Sequence, residues 1–293
     1  MDIRTVAVIG AGTMGAGIAQ VCAQSGYTTR LVDAQSAALA KGLGRVHEFW
    51  DKGIAKGKTT PQQKAEWSAR LTTAEDLAHA AMDADLVIEA VPEALELKQK
   101  VFRALDAAAP VHAILATNTS SLSIAAIASA TKRPGSVVGM HFFNPVPIMQ
   151  LLELVRHDGT SPTTLAAAQQ VGARLGKTTI VAKDSPGFAT SRLGIVLGNE
   201  AMRMLEEGVA SARDIDTAMK LGYGHPMGPL ELSDLVGLDV RLGISEYLKT
   251  ALGPQYDAPA VVRKLVARGE LGKKSGKGFY DWSSGTAQER KLP

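Results

Sequence analysis

The chain has 293 residues and a mass of 30.8 kDa, enough for two domains of ordinary size. Hydrophobic residues make up 45% and charged residues 21%, and a chain this long buries a large core without staples, which excludes disorder, a collagen-like repeat and a disulfide scaffold. A formal charge of +3 is too small and too evenly spread for a nucleic-acid binder; the densest basic stretch, Lys273-Lys274-Ser275-Gly276-Lys277, is short, broken by glycine, and reads as a local anion contact.

Thr5 to Ile9 is a β-rich apolar run that ends in glycines. Met14 to Gln24 reads as a helix of small and apolar residues, and Thr28 to Val32 as a second strand that stops at Asp33. This is strand–helix–strand within about 30 residues, the βαβ unit. Residues 34–67 are helical and more polar, interrupted at Gly53–Lys58, with Pro61 starting a second helix; this excursion is longer than an ordinary crossover. Strands follow at Leu71–Thr73, Asp85–Ala90, Ala113–Ala116 and Val137–His141, with a helix at Ala94–Ala108. Leu151–Val155 and Thr179–Val181 are further strands at the sheet edge, with a helix at Pro162–Leu175 between them. The alternation predicts a mostly parallel, doubly wound α/β sheet over residues 1–184.

Beyond Asp184 strand-like runs stop. Phe188–Glu207, Ala212–Leu221, Gly228–Leu252 and Pro259–Arg268 all read as helices, so residues 185–293 form an all-α domain after the turn at Lys183–Gly187. The single cysteine, Cys22, forms no internal disulfide and suits a reducing compartment. No apolar stretch approaches the roughly 18 residues of a membrane span, and the run after Arg4 is too short for a secretory signal, so a cytoplasmic protein is expected.

Gly10-Ala11-Gly12-Thr13-Met14-Gly15 has the form Gly-x-Gly-x-x-Gly. By itself that pattern is weak. Here it follows a strand, opens a helix, and is followed by an acid that closes the next strand 18 residues after Gly15. Gly10 permits the tight turn, Gly12 lets backbone approach a pyrophosphate, and Gly15 lets the helix pack closely on the strand. The N–H groups and dipole of the helix start then favour phosphates. Asp33 is placed to accept hydrogen bonds from ribose hydroxyls and to repel a 2′-phosphate, which points to NAD over NADP and to a Rossmann-type domain.

In open α/β sheets ligands bind beyond the carboxyl ends of the strands, where Glu93, Ser120 and His141 fall. Glu153 lies 12 residues after His141, flanked by Leu151, Leu152, Leu154 and Val155, a costly place for an acid without a partner. His141 is the natural partner. A neutral imidazole takes the alcohol proton as hydride leaves, and a carboxylate orients the ring. Ser120, read by itself in Thr117-Asn118-Thr119-Ser120-Ser121, belongs to a run that caps helices, with Ser121 or Ser123 as the cap of the following helix. His47, His79, His112 and His157 read as structural, His225 precedes a rigid Pro-Met-Gly-Pro turn, and no spacing suits a metal.

These stretches together resemble the short-chain L-3-hydroxyacyl-CoA dehydrogenase family, above all its bacterial 3-hydroxybutyryl-CoA members, over nearly the whole chain. The matching segments are VIGAGTMGAGIAQ (Val8–Gln20), EAVPE (Glu89–Glu93), TNTSSL (Thr117–Leu122), GMHFFNPVP (Gly139–Pro147), LLELV (Leu151–Val155), KDSPGF (Lys183–Phe188), HPMGPLEL (His225–Leu232) and GKKSGKGFYDW (Gly272–Trp282). The resemblance implies interconversion of a (S)-3-hydroxyacyl-CoA and NAD⁺ with a 3-oxoacyl-CoA and NADH. It implies His141 as general base paired to Glu153, and Ser120 on the reacting oxygen rather than as a cap. It implies Glu93 and Lys98 at the nicotinamide half of the cofactor, Asn144 near cofactor and thioester, and Lys274 reaching the cofactor. It also implies a homodimer through the C-terminal domain and an excursion at 34–67 lying over CoA, with Lys52, Lys56 and Lys58 as candidates for its phosphates.

One position departs from the pattern. Where the family continues Pro-Gly-Phe with two apolar residues and Asn-Arg, this chain has Ala189-Thr190-Ser191-Arg192. Ser191 therefore stands for the usual active-site asparagine, with a shorter side chain and no amide. That leaves open a sister dehydrogenase acting on a free hydroxy acid such as L-gulonate or carnitine.

Overall fold

The computed structural model describes residues 2–74 and 76–292. It divides into two compact units that meet in sequence between Ser185 and Pro186.

The N-terminal unit is built on eight strands: β1 (Thr5–Ile9), β2 (Thr28–Val32), β3 (Leu71–Thr73), β4 (Leu86–Glu89), β5 (Ile114–Thr117), β6 (Val137–Phe142), β7 (Leu151–Arg156) and β8 (Thr178–Lys183). They form one sheet in the order β3-β2-β1-β4-β5-β6-β7-β8. The pairs are parallel except β6–β7, which is antiparallel. Reversal of order beside β1 is the switch point at which such sheets open a ligand crevice. Central strands are apolar up to their carboxyl ends because both faces are covered: Val6, Val8, Leu86, Ile88, Leu115, Ala116, Val138 and Met140 are all fully buried.

The helices of this unit are α1 (Thr13–Gln24), α2 (Ser36–Ala55), α3 (Pro61–Arg70), α4 (Leu77–Ala81), α5 (Leu95–Ala108), α6 (Ile124–Ala128) and α7 (Pro162–Arg174). The excursion at 34–67 is α2 followed by α3. Thr60 starts α3 with a reciprocal cap: its hydroxyl accepts from Gln63 N at 3.1 Å while Gln63 Oε1 accepts from Thr60 N at 2.8 Å. Trp50 of α2 packs against Trp67 of α3, with ring centroids 5.7 Å apart. The five-residue helices α4 and α6 are too short to show a 3.6-residue period, so the hydrophobic pattern does not reveal them as separate elements.

The C-terminal unit contains α8 (Thr190–Glu206), α9 (Ala212–Gly222), α10 (Pro229–Val236), α11 (Leu238–Leu252) and α12 (Ala260–Ala267). The single helix expected over Gly228–Leu252 is two helices. Gly237 sits between α10 and α11 at φ 105°, a conformation that breaks an α-helix and that glycine adopts without a Cβ penalty.

Two buried carboxylates organise this unit. Asp216 accepts from Leu230 N at 2.8 Å, Glu231 N at 2.9 Å and the Tyr280 hydroxyl at 2.7 Å. Asp234 accepts from Phe279 N at 2.8 Å, Tyr280 N at 2.9 Å and Trp282 Nε1 at 2.9 Å. They pin the segment Gly272–Trp282 to the rest of the unit. Gly278 is required there, since an added Cβ would lie 2.0 Å from Asp234 Oδ1. Burial pushes both carboxyls above the usual range, against the pull of these donors.

Candidate active site

The glycine loop joins β1 to α1 on the carboxyl edge of the sheet. Gly10 has φ 102° and donates to Val32 O at 2.8 Å, tying the loop to the end of β2. Gly15 lets α1 approach this turn: an added Cβ would lie 1.8 Å from Gly10 O. Gly12 is different. It has ordinary φ, −61°, and an added Cβ would meet nothing within 4 Å. It caps α1 without a side chain, so the first-turn N–H groups of Thr13 and Met14 face an open cradle. A pyrophosphate fits that space and donor set. Asp33, just past β2, accepts from Ala11 N at 2.7 Å and Gln35 N at 2.9 Å. Its carboxylate is thus fixed beside the loop, with lone pairs left for a ribose. Arg45 of α2, not singled out from sequence, donates to the Thr13 hydroxyl at 2.8 Å and adds a cation at the same loop.

His141 is the fifth of six residues of β6, on the same carboxyl edge. Glu153 of β7 is its direct register partner across the antiparallel pair. Directly opposed residues project to the same face of a sheet, which is why a separation of 12 residues brings the two side chains together. Nδ1 of His141 lies 3.0 Å from Glu153 Oε2. Glu153 is fully buried and His141 nearly so. The Phe143 ring packs against the imidazole at 4.5 Å between centroids. Asn118, after β5, accepts from Phe142 N at 2.9 Å and ties the ends of β5 and β6 together. Such a pair can hold a proton on Nδ1 and present Nε2 as a base.

A second cluster occupies the ends of β4 and β5. Glu93, in the loop after β4, accepts through Oε1 from the Thr119 hydroxyl at 2.5 Å, Ser120 N at 3.0 Å and the Ser120 hydroxyl at 3.4 Å. Its Oε2 is 3.4 Å from Lys98 Nζ on α5. Lys98 is 1% exposed, the reverse of a lysine's normal place, and reaches Glu89 at 2.7 Å. Ser120 is not the cap of α6; Ser123 is, accepting from Ala126 N at 3.2 Å. Glu89, Thr117 and Thr119 escaped the sequence-based selection of site residues. The available signal was an acid closing the otherwise apolar strand Leu86–Glu89.

Asn144 is exposed just beyond β6. Lys52 and Lys56 are exposed at the end of α2, Lys52 paired with Glu48 at 2.6 Å, and Lys58 is exposed beyond it. Within the C-terminal unit, Ser191 is half-buried in the first turn of α8. Lys274 is exposed and grips Asp239 through both oxygens at 2.6 and 2.7 Å. Partial burial pushes the Asp239 carboxyl up, but the Lys274 bond and neighbouring donors outweigh it and hold the group below the usual range. His157 is held by backbone groups: its Nε2 is 3.0 Å from Pro134 O, and its Nδ1 accepts from Gly159 N. Among the described residues no helix is long and apolar enough to cross a membrane.

Residues 5–185 match the family model for the NAD binding domain of 3-hydroxyacyl-CoA dehydrogenase, and residues 187–282 match the model for its C-terminal domain. A probable 3-hydroxybutyryl-CoA dehydrogenase of Bacillus subtilis is 43% identical over 288 residues, covering 98% of this chain and all of the relative. The human mitochondrial hydroxyacyl-coenzyme A dehydrogenase is 43% identical, covering 96% of this chain and 91% of its own. The crystal structure of (S)-3-hydroxybutyryl-CoA dehydrogenase from Ralstonia eutropha superposes with a TM-score of 0.92 at 44% identity, covering 96% of this chain and all of that one. The glycine loop, the doubly wound sheet and both matched domains agree, and the chain belongs to the 3-hydroxyacyl-CoA dehydrogenase family, with an NAD-binding N-terminal domain.

Proposed function

We propose that the chain interconverts a (S)-3-hydroxyacyl-CoA of short acyl length and the corresponding 3-oxoacyl-CoA. The observation that carries this is the buried His141–Glu153 pair, 3.0 Å apart on the same sheet edge as the glycine loop. Bound at the glycine loop and Asp33, NAD would supply the hydride acceptor. His141 receives the hydroxyl proton at Nε2, because its Nδ1 is engaged by Glu153. The Glu153 carboxylate fixes that tautomer and balances the imidazolium charge that forms. In the reverse direction His141 returns the proton to the alkoxide. Ser120 donates its hydroxyl to the reacting oxygen, and Glu93 meets the nicotinamide half, with the buried Lys98 acting there through Glu93.

The remaining assignments follow the family pattern. Gly10, Ala11, Gly12, Thr13, Met14 and Gly15 cradle the pyrophosphate and Asp33 holds the adenosine ribose. By that pattern Asn144 is assigned to the nicotinamide and thioester, Lys274 to the cofactor, and Lys52 and Lys56 to the CoA phosphates. Ser191 reads the substrate in place of asparagine. A homodimer through the C-terminal unit is supported by exposed apolar side chains there: Leu193 and Val196 on α8, Leu235 and Val236 on α10, Val240 on α11. A cytoplasmic location is supported by the lone, buried Cys22.

The test is NADH consumption with acetoacetyl-CoA beside free acetoacetate, with NADPH as a control. Rapid NADH loss on the CoA ester alone is the expected result. Ser191 favours one competitor, a family member acting on a free hydroxy acid such as L-gulonate or carnitine; turnover of a free acid with none on the ester would establish it.

A further inference from the structure

We propose that Glu89 is a positioning residue for the dehydrogenase reaction, acting through Lys98 to keep the Glu93 carboxylate turned toward Ser120. The proposal rests on the functional reading of Lys98, Glu93 and Ser120 given above. Glu89 ends β4 and is fully buried. A carboxylate there is costly unless every oxygen is met. Both are met, from α5, β5 and the loop after β4. Oε1 accepts from Lys98 Nζ of α5 and from Val91 N, each at 2.7 Å, and Oε2 accepts from the Thr117 hydroxyl of β5 at 2.7 Å.

Lys98 has three donors, which reach Glu89 at 2.7 Å, Val91 O at 3.3 Å and Glu93 at 3.4 Å. The short bond goes to Glu89 and the long one to Glu93. Glu93 therefore spends its other oxygen on Thr119 and on both polar groups of Ser120. Two carboxylates share one ammonium, and the buried one holds it. Were Glu89 uncharged, the ammonium would close on Glu93, and the carboxylate would swing off Ser120. The contacts thus run without a gap from a core strand to the serine at the reacting oxygen. A carboxylate kept only to stabilise the strand end would need Thr117 and Val91, but not a buried lysine that also touches Glu93.

The test is a double-mutant cycle with Glu89→Gln, Glu93→Gln and the pair, read by NADH fluorescence titration and by kcat and KM on acetoacetyl-CoA. Glutamine keeps the size and removes the charge. Glu89→Gln alone is expected to weaken NADH binding and lower kcat, each on the order of tenfold, since misplacement of about an ångström is felt at that scale or above. In the Glu93→Gln background the same change is expected to cost less than about twofold, because contacting residues of one network are non-additive. Equal factors in both backgrounds, or wild-type binding in Glu89→Gln, would overturn the proposal and leave Glu89 a structural acid. If Glu89→Gln does not fold, Thr117→Val loosens the same carboxylate and is run in the same cycle. Failure of the functional reading shows separately, as a wild type that binds NADH but turns over no CoA ester while the cycle in NADH binding keeps its meaning.

Discussion

Gly15 and Gly12 belong to one six-residue loop, yet replacing each by alanine breaks the protein at a different level. At Gly15 the new Cβ lies 1.8 Å from Gly10 O, about 1.6 Å short of the 3.4 Å at which ordinary contact begins. The obstacle is backbone, so no rotamer relieves it, and α1 must withdraw from the turn. Overpacking costs about 1–3 kcal/mol even where side chains can yield, so ~3 kcal/mol or more is expected here. For a domain of this size that lowers Tm by about 6 °C or more. The withdrawn helix also carries its first-turn N–H groups off the pyrophosphate, and NADH affinity falls on the order of a hundredfold. At Gly12 the Cβ meets nothing within 4 Å and φ is ordinary, so Gly12→Ala should melt like wild type. It should nevertheless lose NADH affinity about tenfold or more, because the methyl fills the phosphate cradle. Thermal melts and NADH fluorescence titration on both variants check this. Wild-type melting of Gly15→Ala, or wild-type NADH binding by Gly12→Ala, refutes the assignment of the loop.

Glu153→Gln keeps the shape beside His141 but removes the charge; kcat should fall on the order of 10²–10⁴-fold with Tm nearly unchanged, and steady-state kinetics with a melt decide it. Cys22 is fully buried in α1 and burial pushes its thiol up to about 12, so iodoacetamide at mildly alkaline pH should leave the native protein unmodified and label it fully in denaturant. Burial raises Asp216 and Asp234 in the folded state, so between the ordinary carboxyl value and the raised one the native protein holds protons that the unfolded chain has released. Their contribution to stability is therefore full at acid pH and declines as pH rises through that window. The stability gap in urea between wild type and Asp216→Asn should accordingly narrow on going from acid toward neutral pH, and a gap that widens contradicts the raised value.

The βαβ start was legible because three independent signals coincide in residues 5–33: an apolar run, a glycine pattern with helix periodicity, and an acid at the next strand end. The break between α10 and α11 was not. A glycine inside a helical pattern looks the same whether it continues the helix or, like Gly237, takes φ 105°. His141 and Glu153 were legible as residue types in costly places. Their contact depends on an antiparallel register between β6 and β7 that no local pattern specifies. The serine run offered caps without saying which one; the geometry of α6 selects Ser123. Glu93 was marked by its place past a strand end, whereas Lys98 entered through family resemblance alone, because a lysine in a helical pattern is normally solvated. The buried Glu89 beneath them looks, in sequence, like an ordinary strand end.

The most direct measurement is single-turnover oxidation of bound NADH by acetoacetyl-CoA in His141→Ala beside wild type, with NADH affinity determined on both. Transfer slowed on the order of a hundredfold or more, with NADH affinity retained, is the result expected if His141 moves the proton. A His141→Ala enzyme that transfers hydride at the wild-type rate would show that the proton travels by another route and that the His141–Glu153 pair is not the catalytic one.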